Sequence, residues 1–199
     1  MRSVVAMVSA LVVSVTVGLA GEWNVDPVHS SVGFSVRHLM ISNVKGGFGK
    51  FSGTAKYDPA VPGGLVIEGT VEAASIDTGN GMRDKDLRSE SFLDVAKYPL
   101  ITFKSTALKK EADGRTTLTG DLGLHGVTNS VTFELRGLAA PVAFMGTRVG
   151  MSLIGQIPRD KFGLTYNKAL ETGGVVVGNE VTLSADIEIV ERVAPAPAK

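Results

Sequence analysis

The side chains able to do chemistry in this sequence are few. His29, His38 and His125 are its only histidines, and a three-histidine metal centre is the most specific chemistry they could build. Alternation of apolar and polar residues from Val28 onward puts His38 on the apolar face and His29 on the opposite one, so a shared ion would require loops to rearrange. His38 is read either as a hydrogen-bonded interior residue or as a contact to the polar end of a ligand. Two Arg-Asp pairs, Arg83-Asp84 and Arg159-Asp160, could orient a head group or hold their own segments. For the first pair the structural expectation is an ion pair that pins its segment, with Arg83 reaching backbone carbonyls or Asp94. The chain has no cysteine, which removes disulfides, thiolate nucleophiles, zinc–cysteine centres and iron–sulfur clusters. No serine stands in a Gly-x-Ser-x-Gly elbow, and no glycine-rich loop joins a strand to a helix. Acid–base chemistry by His38 or Asp84 inside an enclosed pocket stays open. No residue is assigned as catalytic and none as a metal ligand.

The elements that would position these groups are mostly strands. Val28, Ser30, Val32, Phe34, Val36 and His38 share one face of the first. Phe51, Gly53, Ala55 and Tyr57 follow on a second, and Leu65, Ile67, Gly69, Val71 and Ala73 on a third. Ile101, Phe103, Ser105 and Ala107 define the fourth, with Asp113-Gly114 as a hairpin signal after it. Leu118, Gly120, Leu122 and Leu124 line the fifth, and Val131, Phe133 and Leu135 the sixth. Met151, Leu153, Gly155 and Ile157 mark the seventh. The last is the clearest, with Val181, Leu183, Ala185, Ile187 and Ile189 on one side. Gly46-Gly47 reads as a turn or bend.

One stretch breaks this alternation. From Thr78 to Pro99 charges cluster at Arg83, Asp84, Lys85, Asp86 and Arg88, followed by Leu87, Phe92, Leu93 and Val95. Thr78 or Asn80 can cap a short helix, and Pro99 holds Tyr98 extended and ends it. The stretch is read as a helix-and-turn insertion at the position of a lid or rim, with a long surface connection as the alternative. Pro158 to Gly174 is a second long connection, containing Phe162.

Composition narrows the class. Of the 199 residues 44% are hydrophobic and 20% charged, enough for a packed core, and the formal net charge is zero. No basic excess points to nucleic acid. Met1 to Ala20 has the pattern of an export signal: Arg2, an apolar run from Val4 to Val17, and small residues before Gly21. Cleavage there would leave 19 basic and 20 acidic residues. An exported, near-neutral, cysteine-free chain fits the bacterial periplasm, with no stable membrane insertion after cleavage. Residues 21–193 form one domain, and the Ala-Pro tail 194–199 is expected to be disordered.

About eight long strands in hairpin-like succession make the fold class all-β: an extended eight-stranded antiparallel barrel with a short helical insertion near its opening, with a two-sheet sandwich as the competing architecture. Small inward residues such as Ala55, Gly69, Ala107 and Ala185 either leave an apolar tunnel or are covered by large neighbours. A tunnel would take an apolar ligand. Its lining and mouth are assigned to Phe34, Val36, His38, Phe51, Ile67, Val71, Ile76, Phe103, Leu122, Phe133, Met151 and Leu183 from the wall. Met82, Arg83, Asp84, Leu87 and Phe92 come from the insertion, and Phe162 from the second connection.

Several motifs in order carry a family resemblance: Asp26-Pro27-Val28-His29-Ser30; Gly47-Phe48-Gly49-Lys50-Phe51; Ser75-Ile76-Asp77-Thr78-Gly79; Arg83-Asp84 with Leu87-Arg88-Ser89 and Phe92-Leu93-Asp94; Tyr98-Pro99; His125-Gly126-Val127-Thr128; and Arg159-Asp160 with Phe162-Gly163. Across roughly Trp23 to Glu191 the sequence resembles the YceI-like family of exported, polyisoprenoid-binding proteins. The resemblance implies a lipocalin-like barrel around a long isoprenoid or quinone-like chain, no other cofactor, no catalysis, and a role in lipid transport, storage or envelope stress. One position departs from it. Where the family often has His before Leu-Arg this chain has Asp86, so a head-group contact by that His is not carried over. Two other readings remain beside this one: an enzyme acting on a hydrophobic substrate in the same pocket, and a filled barrel used for protein interaction. A homodimer is compatible with each.

Overall fold

Three consecutive strand runs in the first part of the chain bend at the same height, and this corner shapes the barrel. The structure is a computed structural model that describes residues 21–138, 140–171 and 173–192; the expected export signal (residues 1–20) and tail (194–199) lie outside them. Strands β1 (Gly21–Val25) and β2 (Ser31–His38) are separated by the Asp26-Pro27 turn. Both pair with one partner, β12 (Val177–Glu191), at Val25↔Ile189 and Ser31↔Asp186. They are one run with a break. Strands β3 (Ser42–Phe48) and β4 (Phe51–Tyr57) pair with β2 and β1 in turn, breaking at Gly49-Lys50. Strands β5 (Val66–Glu72) and β6 (Ile76–Asp77) pair with β4 and β3, breaking at the 3-10 turn Ala73–Ser75. Ser75 repairs the interrupted ladder: its hydroxyl accepts from Lys50 N at 3.1 Å and donates to Glu72 O at 2.7 Å. Unpaired backbone groups inside a wall are costly, so a short polar side chain at the corner stabilises it.

The rest of the chain adds β7 (Leu100–Lys110), β8 (Thr116–Leu124), β9 (Val127–Gly137), the two-residue β10 (Val142–Ala143) and β11 (Thr147–Pro158). Because β11 pairs with both β9 and β12, the eight runs close into an antiparallel ring. Helix α1 (Gly81–Arg88) lies between β6 and β7. It starts at Asn80, whose side chain accepts from Arg83 N, as an N-cap should. The two-residue His125-Gly126 turn joins β8 to β9 with φ of 52° and 75°, the backbone a tight hairpin demands.

The structure revises the expected strands in four places. Val28, expected on the apolar face of the first strand, lies in the turn before β2 and is exposed. Strand β1 was not expected, since its five residues are too short to display a period. Gly46-Gly47 is not a turn: both residues pair within β3. In β7 a bulge after Ser105 shifts the register, so Leu108, not Ala107, opposes Leu118, and Ala107 is exposed. Ser105 stays buried and its Oγ accepts from Ile67 N at 2.8 Å.

The inward glycines have two different reasons. Phe34 lies over Gly46, Phe103 over Gly120 and Phe133 over Gly155; a Cβ on those glycines would stand 2.5 to 2.8 Å from the ring atoms. Each glycine accommodates its aromatic neighbour. Gly69 differs: a Cβ there would meet nothing closer than Ser52 O at 3.8 Å. One end of the barrel is filled by Trp23, Tyr57, Leu118, Leu135, Val149 and Ile189, and Trp23 Nε1 donates to Tyr57 O at 3.0 Å. Towards the other end a second cluster, including Leu122, Leu124, Ile157 and Phe162, packs with Leu87 of α1.

Candidate ligand cavity

A cavity of about 260 Å³ runs inside the barrel, and 33 residues contribute to its wall. Its lining comes from all eight strand runs and from both long connections. Its surface is almost wholly apolar. The lower wall includes Val25, Ile67 and Ile187; the middle includes Phe51, Phe103, Leu122 and Leu183; the upper end includes Leu87, Phe92, Leu93 and Leu164. A wider depression of about 770 Å³ lies across β4, β5 and β7, but it is open and lined by polar groups such as Thr54, Glu68, Lys104 and Asp121. Of the two, the interior cavity is the more enclosed and the more apolar.

The two long connections cover the upper end. Phe92 from the insertion lies 4.7 Å, ring centre to ring centre, from Tyr166 of the second connection. His125 sits edge-on to Tyr98 at 4.6 Å, and its Nδ1 is 3.1 Å from Phe162 O. Arg159, buried beside the cavity, donates to the carbonyls of Gly178 at 2.9 Å, Val177 at 3.4 Å and Leu164. Burial pushes its guanidinium below the ordinary arginine value. Carbonyl oxygens in place of a carboxylate leave the wall with a positive charge that no ion pair among the described residues neutralises.

Of the eighteen residues assigned from sequence, twelve line this cavity: Phe34, Val36, Phe51, Ile67, Val71, Ile76, Leu87, Phe92, Phe103, Leu122, Phe133 and Leu183. Six do not. Met151 has the right parity but belongs to the packed end. Phe162 is buried in the 3-10 turn Arg159–Phe162, behind the wall. His38 ends β2, paired with the cavity residue Val177 and with Ser42, but is not itself part of the lining. Met82 is 84% exposed on the outer side of α1. Arg83 and Asp84 serve the insertion itself: Arg83 donates to Thr78 Oγ1 at 2.7 Å and Thr78 O at 2.9 Å, while buried Asp84 accepts from Thr78 N at 2.9 Å and Thr78 Oγ1 at 2.5 Å. The expected pin exists, with Thr78 between the two charges in place of an ion pair.

Sequence reasoning passed over Phe48, Leu93, Leu164 and Val177, which also line the cavity. Phe48 ends β3 and packs against Phe34 with ring centres 5.9 Å apart. Leu164 and Val177 flank an irregular segment that offers no period to read.

The histidines lie at separate places: His29 at the β1–β2 corner, His38 at the β2–β3 hairpin and His125 at the β8–β9 hairpin. Asp26, His29 and Glu188 do offer three ligand atoms within 4.8 Å of one another. Arg148 already occupies the group, donating to Asp26 at 2.8 Å and to Glu188. Hydrogen bonds from His29, then Arg148, then Val28 N hold the Asp26 carboxyl well below the usual carboxylate range. The cluster ties the corner to β11 and β12.

A closed antiparallel barrel with an apolar interior and a helical cover has the architecture of barrels with room for one small ligand. Comparison with known proteins narrows the class. Residues 23–189 match the family described as the YceI-like domain. A UPF0312 protein of Staphylococcus aureus (strain bovine RF122 / ET3-1) is 34% identical over 165 residues, covering 82% of this chain and 94% of that protein. The chain therefore belongs to the YceI-like family. Its fold is similar to the crystal structure of Burkholderia cenocepacia BcnA, with a TM-score of 0.69 at 24% identity over 82% of this chain and 98% of that one. It is also similar to a polyisoprenoid binding domain from Saccharophagus degradans, with a TM-score of 0.61 at 15% identity, covering 88% of this chain and 100% of that one.

Proposed function

We infer that the protein is a non-enzymatic carrier or store for one long isoprenoid or quinone-like lipid, held with its chain along the barrel interior. The observation that carries this reading is the cavity: about 260 Å³ inside the barrel, with an almost wholly apolar surface. Burying a chain there gains about 0.8 kcal/mol per methylene, and the one cation in the wall, Arg159, already has its hydrogen bonds to backbone carbonyls. The similarity to a polyisoprenoid binding domain supports the same ligand class. A filled barrel used only for protein contact has no need of such a space. Catalysis by His38 or Asp84 is disfavoured by their positions, one outside the cavity lining and the other engaged with Thr78. The proposed location is periplasmic, after removal of the export signal read from residues 1–20, and no cofactor beyond the lipid is required. Among the described residues no helix is long and apolar enough to cross a membrane.

Gly69 gives the test. Its missing side chain faces the cavity, with nothing closer than Ser52 O at 3.8 Å to the position of a Cβ. Gly69→Phe therefore fills the channel without a backbone clash, whereas Ala107→Phe adds the same ring to the exposed side of β7. Titration with a fluorescent polyene chain is expected to lose at least about tenfold in affinity for Gly69→Phe and to stay unchanged for Ala107→Phe. Equal binding by wild type and folded Gly69→Phe would overturn the reading.

A further inference from the structure

The hairpin between β2 and β3 carries three consecutive apolar residues where a soluble protein has least use for them. Leu39 is 37% exposed, Met40 48% and Ile41 76%. Ile41 N donates to His38 O at 3.1 Å, closing a tight turn whose two central residues, Leu39 and Met40, have φ of 50° and 62°. Asn and Gly suit that left-handed geometry; bulky L-residues occupy it at a cost. Met40 Cγ lies beside Gly174 of the second connection, but Met40 remains half exposed and Ile41 mostly so, and strain and apolar exposure coincide here.

The tip also stands at the end of the cavity. Val36 and Val177 are cavity residues. Val177 pairs with His38, the last residue of β2, and Leu39 N donates to Val176 O at 2.8 Å. The flanking strands carry Arg37 and Lys45, neither in an ion pair among the described residues, and residues 37–57 contain no Asp or Glu. Apolar side chains at an extremity with basic residues behind them suit a membrane interface, where the former enter the acyl boundary and the latter meet anionic head groups.

We propose that the Leu39-Met40-Ile41 tip docks the barrel mouth on an anionic lipid bilayer, so that the apolar chain passes between bilayer and cavity without crossing water. The proposal rests on the lipid-carrier reading and adds the surface with which the carrier exchanges its cargo. Docking is shallow and reversible, because three side chains and two charges provide weak attachment. A second exposed apolar tip, Phe144-Met145, adjoins β11 at the packed end of the barrel and has no part in exchange.

The test uses the chain from Gly21 onward, within which the barrel closes, and vesicles of phosphatidylcholine with about one third phosphatidylglycerol. The triple variant Leu39→Asn, Met40→Gly, Ile41→Ser places favoured residues in the turn and so keeps the fold. Wild type is expected to float with the vesicles and to transfer a fluorescent polyene between them. The triple variant should lose about tenfold in both, while binding the same polyene delivered from cyclodextrin as wild type does. Met145→Asn should behave as wild type in all three assays. The proposal is overturned if wild type fails to bind the vesicles, if the triple variant floats and transfers equally well, or if Met145→Asn loses as much as the triple variant. It is also overturned if the triple substitution abolishes a dimer in solution, which would assign the tip to a second copy. Loss of polyene binding from cyclodextrin by wild type would instead fail the carrier reading itself, so the two failures separate.

Discussion

Asp26 accepts hydrogen bonds from three directions: the His29 ring, the Arg148 guanidinium and the Val28 backbone. Together they join the β1–β2 corner to β11. Because these bonds hold the folded carboxyl below its ordinary value, its contribution to stability is fully present above the usual carboxylate range. It is lost as pH falls through and below that range. Urea midpoints at pH 7 and pH 3 should therefore differ in wild type, and the difference should shrink in Asp26→Asn; an unchanged difference would contradict the role given to Asp26. At this scale the sequence was legible in kind but not in partner. The Asp26-Pro27-Val28-His29-Ser30 motif stood out, yet its partners Arg148 and Glu188 lie more than 120 residues away, beyond any local spacing rule. Arg83 and Asp84 repeat the lesson, since adjacent opposite charges suggest each other while both bond Thr78.

At the scale of elements, helix α1 owes its position to such bonds more than to its own amphipathicity. Eight residues are too few to be stable alone. Asn80 caps its start, Asp84 and Arg83 hold Thr78, and Arg88 donates to Ala74 O at 2.7 Å and to Ile76 O at 2.5 Å. Only Leu87 among its side chains reaches the cavity. Replacing buried Asp84 with Ala leaves Thr78 N without its acceptor and should cost about 1–3 kcal/mol. Amide exchange should rise selectively across residues 78–98, the cover of the cavity; uniform exchange throughout the barrel would contradict this local role. The interruption of alternation at Thr78 made the insertion readable, and strict alternation did the same for β8, β11 and β12. Bulges and corners were not readable. The bulge in β7 reversed the face of Ala107 because one extra residue changes parity without altering composition. The corner strands are too short to show a period.

For the whole molecule, one end of the barrel is packed around Trp23 and Tyr57, and the other holds an apolar cavity under α1 and the Phe92–Tyr166 contact. This asymmetry explains why inward parity alone identified most cavity residues but also included Met151: alternation gives the face of a residue, not its height. The arrangement predicts one chain per barrel, entering from the covered end. The most direct test is native mass spectrometry of the protein isolated from its own host, followed by organic extraction and identification of what is released. The account predicts a single long isoprenoid or quinone-like lipid at one per barrel. A ligand-free mass, with no uptake when polyprenyl lipid or quinone is added, would contradict it.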